Sequence, residues 1–275
     1  VGSEMCIRDR VRLMKKDSLI DKRYRIDNVI GRGGTSVIYK AHDIKGGRIC
    51  AVKQSGDDIS REARLLRELN HPRIPSIWDV VEENGYTYMI MDYKPGRTLL
   101  DIAQSKGPQR AEDVVWWMIQ LVQVIGYLHS RIPEIIYRDV KPSNIILGDD
   151  NTINLVDFGA AKKYNSRASK DRIYIGTAGY AAPEQFGGKG QTDVRTDIYG
   201  IGAVMYHMIT GVRPAGLPYS MDISGNEKEV VLIPENIKRI IEKCVRHDRN
   251  QRYQSCTELI ADLYALRERQ RESQT

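Results

Sequence analysis

Cysteine is scarce in this chain, and the cysteines that are present do not form a metal-binding pattern. The four residues, Cys6, Cys50, Cys244 and Cys256, include no CxxC or CxxH pair. Such scattered spacing argues against a structural zinc site and is typical of proteins from a reducing compartment. We therefore expect a cytoplasmic location.

Long hydrophobic runs are also lacking. No apolar stretch approaches the roughly 20 residues that a transmembrane helix needs, so we predict no membrane segment in this chain. Residues 1–10, VGSEMCIRDR, lack the apolar core of a secretion signal and resemble translated vector sequence. We treat them as a non-native leader to a domain at 11–270, with a polar tail at 271–275, and no internal repeat is visible.

A strong charge bias is absent as well. The chain has 42 Lys and Arg residues against 36 Asp and Glu residues, a net charge of +6. Because acidic residues alternate with basic ones, we interpret the charge as a solvated surface that helps to recruit an anionic nucleotide, and we expect no nucleic-acid partner. At 275 residues the chain can form one large domain or two intimate lobes.

Two aspartates follow short apolar pairs, which we predict to be buried strands. Asp139 follows residues 135–136, and Asp157, eighteen positions later, follows residues 155–156. Lys and Asn stand two and five positions beyond Asp139. Magnesium is commonly held by one or two carboxylates plus substrate phosphates. Phosphoryl transfer also needs a base for the attacking hydroxyl and a cation for the phosphate charge, so this pattern predicts a magnesium-nucleotide site.

These segments, YRDVKPSN and VDFG, resemble the catalytic and magnesium loops of the eukaryotic-like protein kinase family. The resemblance implies that Asp139 accepts the proton of the substrate hydroxyl and that Lys141 steadies the transferred group. It implies that Asn144 and Asp157 hold Mg²⁺, with Mn²⁺ as an alternative ion. Tyr137 stands where the family usually has His, at a position of hydrophobic packing.

The same resemblance implies a fold class. We expect an α+β, bilobal protein-kinase-like fold, with a small β-rich N-lobe containing one helix and a larger, mostly helical C-lobe. The lobes would cover about 20–91 and 97–270, joined by a hinge at 92–96.

A glycine-rich segment lies between two predicted strands, 24–30 and 37–41. Glycines at such a turn let backbone N–H groups approach phosphates. The dinucleotide-binding alternative requires a helix after the glycines, and the β-branched and aromatic run at 37–39 argues against one. The resemblance assigns to ATP binding Gly31, Arg32, Gly33, Gly34, Ser36 and Ile38. Ser36 replaces the family's third glycine, which leaves the mobility of this loop open.

Lys53 closes the apolar strand 49–53 at the family position that contacts the α- and β-phosphates, and Ala51 in the same strand is assigned to the nucleotide. Its carboxylate partner should come from the next helix, which offers Glu62 and Glu68. Only Glu62 falls inside the apolar arc of that helix. A carboxylate aimed at a core is costly unless it is paired, so we predict a Lys53–Glu62 ion pair.

A hairpin is predicted at 78–91, followed by the family's hinge. The resemblance implies that main-chain groups of Asp92 and Lys94 hydrogen-bond the adenine and that Ile146 also contacts the nucleotide. Beyond the hinge, the apolar periodicity predicts core helices over 111–130, 196–210 and 234–245.

A capping box at 255–258 opens the last predicted helix, which we expect to fray from Arg267. Within the helix over 111–130, we interpret His129 as a core histidine whose ring is hydrogen-bonded inside the protein rather than as a ligand. Trp116 and Trp117 cannot both face inward, because adjacent helical residues diverge.

The segment 157–184 resembles an activation loop ending in GTAGYAAPE. The family pattern implies that Thr177 contacts the catalytic Asp and Lys and that Glu184 pairs with Arg252. It also implies that Asp197 accepts hydrogen bonds from the catalytic-loop backbone.

Arg138 and Lys162 resemble a pocket for a phosphorylated loop residue, for which Ser169 is our first choice, ahead of Ser166 and Tyr174. We expect a transient homodimer for this autophosphorylation. Ser143 and Thr98 occupy the positions where relatives that select Arg upstream of the acceptor carry carboxylates, so we predict no such selection.

The details of GRGGTS, GTAGYAAPEQ and RTDIYGIGAVMYHMITG look most like the bacterial Ser/Thr kinases. Two other interpretations compete with an ATP-dependent kinase of protein substrates. A pseudokinase is disfavoured because every catalytic position is filled. A small-molecule kinase, such as an aminoglycoside or choline phosphotransferase, is disfavoured by the Thr177 segment, which builds a polypeptide-substrate platform.

Overall fold

The computed structural model describes residues 12–165, 176–186, 191–214 and 233–272, so the leader predicted at 1–10 lies outside the described residues. The chain divides into two compact units, Val1–Lys94 and Pro95–Thr275. The first is β-rich and the second is mostly helical, which confirms the expected α+β fold class.

The first unit contains one six-stranded sheet. Its strands are Leu19–Ile20 (β1), Tyr24–Arg32 (β2), Ser36–Asp43 (β3), Arg48–Ser55 (β4), Ile77–Glu83 (β5) and Tyr86–Asp92 (β6). They are all antiparallel, in the order β1-β2-β3-β4-β6-β5. The predicted hairpin is confirmed as β5 and β6, joined at Asn84 and Gly85, whose positive φ angles suit a tight hairpin turn.

The apolar core of this unit lies on one face of the sheet. Tyr39, Val52 and Ile90 are directly opposite one another on β3, β4 and β6, and all are fully buried. Because successive side chains of a strand point to opposite faces, Ala51 and Lys53 must project from the other face. The alternation thus separates the core from the predicted nucleotide contacts.

The helix of the first unit spans Ser60–Arg67 (α1) and confirms the choice between the two glutamates. Glu62 is buried together with Ala63, Leu65 and Leu66, whereas Glu68 is exposed.

The second unit contains the remaining described α-helices and two small sheets, of three and two strands. The helices are Leu99–Lys106 (α2), Ala111–His129 (α3), Val194–Thr210 (α4), Glu235–Cys244 (α5) and Cys256–Glu272 (α6). The strands are Arg97–Thr98 (β7), Ile135–Ile136 (β8), Ile145–Leu147 (β9), Ile153–Leu155 (β10) and Lys162–Lys163 (β11). The helix α3 packs against α4 and α6, and the three predicted core helices are confirmed. Gly211 ends α4 with a left-handed φ of 72°, which a glycine adopts without steric cost.

The prediction that the last helix frays from Arg267 is wrong, because α6 continues to Glu272. The guanidinium of Arg267 lies 3.8 Å from the centre of the Trp116 ring, a cation–π contact that ties this part of α6 to α3. Trp116 is half-buried and Trp117 is buried, as expected for adjacent helical residues. The capping box is only half formed. Ser255 Oγ accepts from Glu258 N at 3.2 Å, but the Glu258 carboxylate accepts from Gln254 N.

Short strands precede both predicted catalytic aspartates. The strand β8 pairs with β11 and precedes Asp139, while β10 pairs with β9 and precedes Asp157. Across the described ranges, no helix combines the length and the hydrophobicity needed to cross a membrane.

Candidate active site

Asp139 lies at the centre of a hydrogen-bonded group in the second unit. Its carboxylate accepts from Thr177 Oγ1 at 3.1 Å and from Asn144 Nδ2 at 3.0 Å, and it lies 2.7 Å from Lys141 Nζ. Lys141 Nζ also donates to Thr177 Oγ1 at 3.2 Å. The structure therefore brings together four residues that are up to 38 positions apart in sequence. Thr177 contacts both residues that the family pattern implied.

The loop that carries Asp139 is held by Asp197, near the start of α4. The Asp197 carboxylate accepts from the backbone N–H groups of Tyr137 at 2.9 Å and Arg138 at 2.7 Å, which confirms its predicted structural role. Arg138 has a φ of 67°. This left-handed conformation is unfavourable for a residue with a Cβ atom and persists where the surrounding contacts hold it.

His129 at the end of α3 also contacts Asp197. Its Nε2 lies 2.8 Å from the carboxylate, and its Nδ1 lies 3.4 Å from Cys256 Sγ. Burial opposes a charged ring, but the hydrogen bonds to Asp197 and Cys256 outweigh burial and raise the pKa of His129 to about 10. The prediction of a satisfied core histidine is confirmed, with a charged partner that the sequence did not reveal.

Asn144 and Asp157 are brought together through the backbone. Val156 N donates to the carbonyl oxygen of Asn144 at 3.0 Å, so the residue before Asp157 is bonded directly to Asn144. Asp157 is half-buried with a φ of 62°, and its carboxylate accepts from Gly159 N at 3.3 Å. Because the Asn144 nitrogen donates to Asp139, the amide oxygen is the atom suited to a cation. One carboxylate and one amide oxygen fit a magnesium ion that takes its other ligands from phosphates and water.

Tyr137 does more than pack. Its ring is fully buried and lies edge-on to Phe158, with 5.2 Å between the ring centres. Its hydroxyl donates to the carbonyl oxygen of Val156. Burial raises the pKa of Tyr137 well above its usual range, so the hydroxyl remains a neutral donor. The tyrosine therefore connects the Asp139 loop to the residue before Asp157.

In the first unit, Lys53 Nζ lies 2.9 Å and 2.7 Å from the two carboxylate oxygens of Glu62. Both residues are nearly inaccessible, at 6% and 7% exposure. The predicted ion pair is confirmed. Because the pair is buried and doubly bonded, it fixes the position of the ammonium group on the sheet.

The strand register places several predicted nucleotide contacts on one face of the sheet. Gly31 is opposite Ile38, Ile38 is opposite Lys53, and Ala51 is opposite Met91. Residues opposite one another project from the same face, and Ala51 and Lys53 alternate with Val52, so these residues lie on the face opposite the apolar core. Ile38 is half-buried there and Ala51 is buried.

The glycine-rich segment forms the turn between β2 and β3, and a strand follows it rather than a helix. Gly33 N donates to Ser36 O at 2.8 Å, which closes the turn around the exposed Gly34. A Cβ atom at Gly33 would come within 3.1 Å of Ser36 Oγ. Arg32 ends β2 and is exposed.

The predicted hinge residues have side chains with other partners. The Asp92 carboxylate accepts from Ser76 N and from Trp78 Nε1 at 2.7 Å, while Lys94 Nζ donates to Pro72 O. The Asp92 main-chain N–H donates to Ser76 O at 3.0 Å, so of its two main-chain groups the carbonyl is the one that could meet the adenine, and the assignment of both residues remains a prediction. Ile146 lies in β9 of the second unit, opposite Asn154 and Thr98, and is half-buried.

Arg252 and Glu184 form the buried ion pair that the family pattern implied. The guanidinium donates to both carboxylate oxygens, at 2.8 and 2.9 Å, and its side chain is inaccessible. Thr196 Oγ1 also donates to the Glu184 carboxylate at 2.9 Å, which joins Glu184, at the end of the predicted activation loop, to α4.

The predicted phosphorylation sites and the predicted metal site are not observed directly in the described residues. Ser166, Ser169 and Tyr174 lie outside the described residues. Among the residues that the structure does describe, no group of three or more His, Cys, Asp or Glu side chains is arranged to hold a metal ion. A magnesium site here would depend on phosphate oxygens and on Asn144, which such a group does not include.

The two-unit fold and the Asp139 group together match the architecture of a protein kinase domain. The protein kinase domain family matches residues 24–274, and the chain belongs to this family. It is similar to a probable serine/threonine-protein kinase of Clostridium perfringens, with 31% identity over 90% of this chain and 39% of that protein.

Two further relatives are each 30% identical to this chain over 89% of its length. They are the serine/threonine-protein kinases PknB of Mycobacterium leprae, of which 43% is covered, and PrkC of Bacillus subtilis, of which 40% is covered. The resemblance to the bacterial Ser/Thr protein kinases that the sequence motifs indicated is confirmed. The chain spans about two fifths of the length of these relatives.

Proposed function

We propose that this chain transfers the γ-phosphoryl group of ATP to serine and threonine hydroxyls of proteins, in a magnesium-dependent reaction. The observation that carries the proposal is the hydrogen-bonded group of Asp139, Lys141 and Thr177. It supplies a carboxylate base and a cation side by side, as phosphoryl transfer to a hydroxyl requires. Its threonine comes from the segment that the family uses to receive a polypeptide.

Asp139 acts as the base. The substrate hydroxyl would donate to its half-buried carboxylate, which takes the proton as the bond to phosphorus forms. Lys141 Nζ, held between Asp139 and Thr177, offers a positive charge to the oxygens of the group in transfer. Thr177 keeps both side chains in place and marks the side from which a peptide approaches.

Asn144 and Asp157 would hold Mg²⁺ through their side-chain oxygens, and Mn²⁺ suits the same hard donors. The bound ion would neutralise phosphate charge. Asn144 has a second task, since its amide nitrogen donates to the Asp139 carboxylate and backbone carbonyl. It thereby orients the base.

The nucleotide contacts proposed in the first unit use the face of its sheet opposite the apolar core. Lys53, fixed by Glu62, would meet the α- and β-phosphates, and backbone N–H groups of the glycine turn would meet the outer phosphates. Ile38 and Ala51 offer apolar surface to the adenine. Main-chain groups of Asp92 and Lys94, and Ile146 from the second unit, complete the assignment by family position.

The proposal is tested by incubating the protein with labelled ATP, magnesium and a generic protein substrate, followed by analysis of the labelled amino acids. Phosphoserine and phosphothreonine are expected. The Asp139→Asn variant should transfer about 10²–10⁴-fold more slowly, with nearly unchanged ATP affinity, because a general base acts in the transition state.

Two results would contradict the proposed function, and a third would contradict the assignment of the base. Binding of ATP without transfer by the wild-type protein would identify a pseudokinase. Label found only on an added aminoglycoside or choline would identify a small-molecule kinase. Wild-type turnover in Asp139→Asn would show that another group is the base.

A further inference from the structure

Gln185 follows the Pro183-Glu184 pair and has a nearly inaccessible side chain, at 7% exposure. Its Oε1 accepts from the backbone N–H of Ala182 at 2.9 Å. Its Nε2 donates to the backbone carbonyl of Arg138 at 2.8 Å. The amide can satisfy both bonds in one orientation only, because the reverse orientation would place donor against donor and acceptor against acceptor.

The carbonyl that Gln185 contacts belongs to the peptide leading into Asp139. The N–H of the same residue, Arg138, donates to Asp197 at 2.7 Å, and its φ is 67°. Asp197 therefore holds Arg138 on its amino side and Gln185 holds it on its carbonyl side. A left-handed conformation at a residue with a Cβ atom depends on such fixed contacts.

With Gln185 in place, the space lined by Arg138, Asp139, Thr177, Tyr180 and Gln185 has no room for a water molecule, so the contact between the amide and Arg138 O is direct. The preceding peptide helps to fix the position of the Asp139 Cα atom and the direction of its Cα–Cβ bond, so the contact at Arg138 O bears on the place from which the base reaches its partners.

We propose that Gln185 is a positioning residue for Asp139, holding the Arg138–Asp139 peptide so that the carboxylate points at the substrate hydroxyl. The proposal rests on the function proposed above. It also joins the segment that begins at Thr177 to the catalytic loop at a second point, through Ala182 and the Gln185 side chain.

Gln120 offers a matched control. Its Nε2 donates to Asn151 O at 3.0 Å, its Oε1 accepts from Ile153 N at 3.2 Å, and it is 1% exposed. It thus makes the same two kinds of bond in an equally buried place, at the turn before β10. Substitutions there report the general cost of losing a buried glutamine.

The experiment compares Gln185→Met with Gln120→Met, using kcat, KM for ATP, KM for a protein substrate and the thermal midpoint. Gln185→Met should lower kcat by roughly 10- to 100-fold, as small displacements of a reacting group do, with little change in KM for ATP. Gln120→Met should lower the thermal midpoint with kcat close to that of the wild type. Equal kcat in Gln185→Met and the wild type would overturn the proposal.

Gln185→Glu adds a readout that a purely structural role would not move. An ionised carboxylate would oppose Arg138 O, whereas a protonated one can donate to Arg138 O and still accept from Ala182 N. Burial raises the pKa of such a carboxyl group, so kcat of this variant should rise as pH falls through its titration. The charged groups lining the same space, Arg138 and Asp139, are also present in the wild type and in Gln185→Met, which therefore serve as references.

A parallel pH profile for Gln185→Glu and the wild type would count against the proposal, even if Gln185→Met failed to fold. A wild-type protein that transfers no phosphate at all would instead contradict the proposed function, and the inference with it. An active wild type with unaffected Gln185 variants contradicts the inference alone.

Discussion

At the scale of single residues, the main surprise lies in backbone conformation and in buried charge. Arg138 and Asp157 both have positive φ angles, although neither is a glycine. Positive φ angles are common at Gly and enriched at Asn and Asp, so Asp157 is a residue type that tolerates one, whereas nothing in the local sequence marks Arg138. They arise because Asp197 and the neighbouring strands hold the chain, so they could be found only from the folded structure.

His129 yields a prediction about stability and pH. Its folded pKa of about 10 lies above the ordinary value of 6.5, because Asp197 and Cys256 outweigh the effect of burial. The charged ring therefore contributes stability that is fully present below about pH 6.5 and is lost as pH rises towards 10. The free energy of unfolding of the wild type should fall over this interval more steeply than that of His129→Gln.

Urea titrations at several pH values would measure this difference. The comparison with His129→Gln removes the contribution of the other groups that titrate in the same interval. Parallel curves for the two proteins would show that the ring is neutral in the folded state.

At the scale of secondary-structure elements, helix α1 was well predicted and helix α2 was missed. The apolar arc of α1 is long enough to identify the buried Glu62. The helix α2 has only eight residues and no comparable periodicity, but Thr98 and Asp101 form a capping box at its start and Gly107 follows it. That local signal could have found it.

Helix α1 also allows a matched test of the ion pair. Glu62→Gln should lower kcat by roughly 10- to 100-fold, because Lys53 would lose the carboxylate that fixes it and the phosphates would be misplaced. Glu68→Gln, on the exposed side of the same helix, should remain close to the wild type. Steady-state kinetics of both variants check this. Equal losses in the two would point to an effect on the helix rather than on the lysine.

The strand β11 bears on the predicted switch. Lys162 is paired with Ile136 in β8, two residues before Arg138. The Arg138 side chain is largely buried, and its guanidinium donates to Ala160 O at 2.7 Å. Phosphate at Ser169 would bring a charge of about −2 to these two cations and order the loop. We predict that preincubation with ATP raises activity and places phosphate on Ser169, or on Ser166 or Tyr174.

Phosphopeptide mapping and activity measurements test this switch. Lys162→Gln should reduce the gain from preincubation, while Lys163→Gln, at the exposed neighbouring position, should not. A fully active enzyme with no phosphate between Lys162 and Thr177 would rule the switch out.

At the scale of the whole molecule, the ordered series of motifs predicted the family and the fold class. Each motif is short, and its spacing from the next is what carries the information. Pairings between distant segments were harder. The Glu184–Arg252 pair followed from the family pattern, but the contact of Arg267 with Trp116 did not, because no local pattern specifies which helix α6 packs against.

The surface near Thr98 and Ser143 bears on substrate choice. The strand β7 packs against Pro142–Asn144, so these two positions lie on neighbouring elements of the second unit. The Thr98 hydroxyl donates to the Asp101 carboxylate at 2.6 Å, as part of the α2 cap. The Arg97 guanidinium donates to the backbone carbonyl of Asp101 and to Ser105 Oγ, which places a positive charge against α2.

A peptide arginine docked there would lose water without gaining the roughly 1.5–3 kcal/mol of a hydrogen bond to a dedicated carboxylate. Repulsion from Arg97 and Lys141 would add to the cost. We therefore predict that a positional-scanning peptide library shows no selection for Arg two or three residues before the acceptor, with Thr accepted at least as readily as Ser. Ser143→Glu should introduce such selection by supplying a carboxylate. Strong Arg selection by the wild type would mean that another acidic group, such as Glu134, faces the peptide.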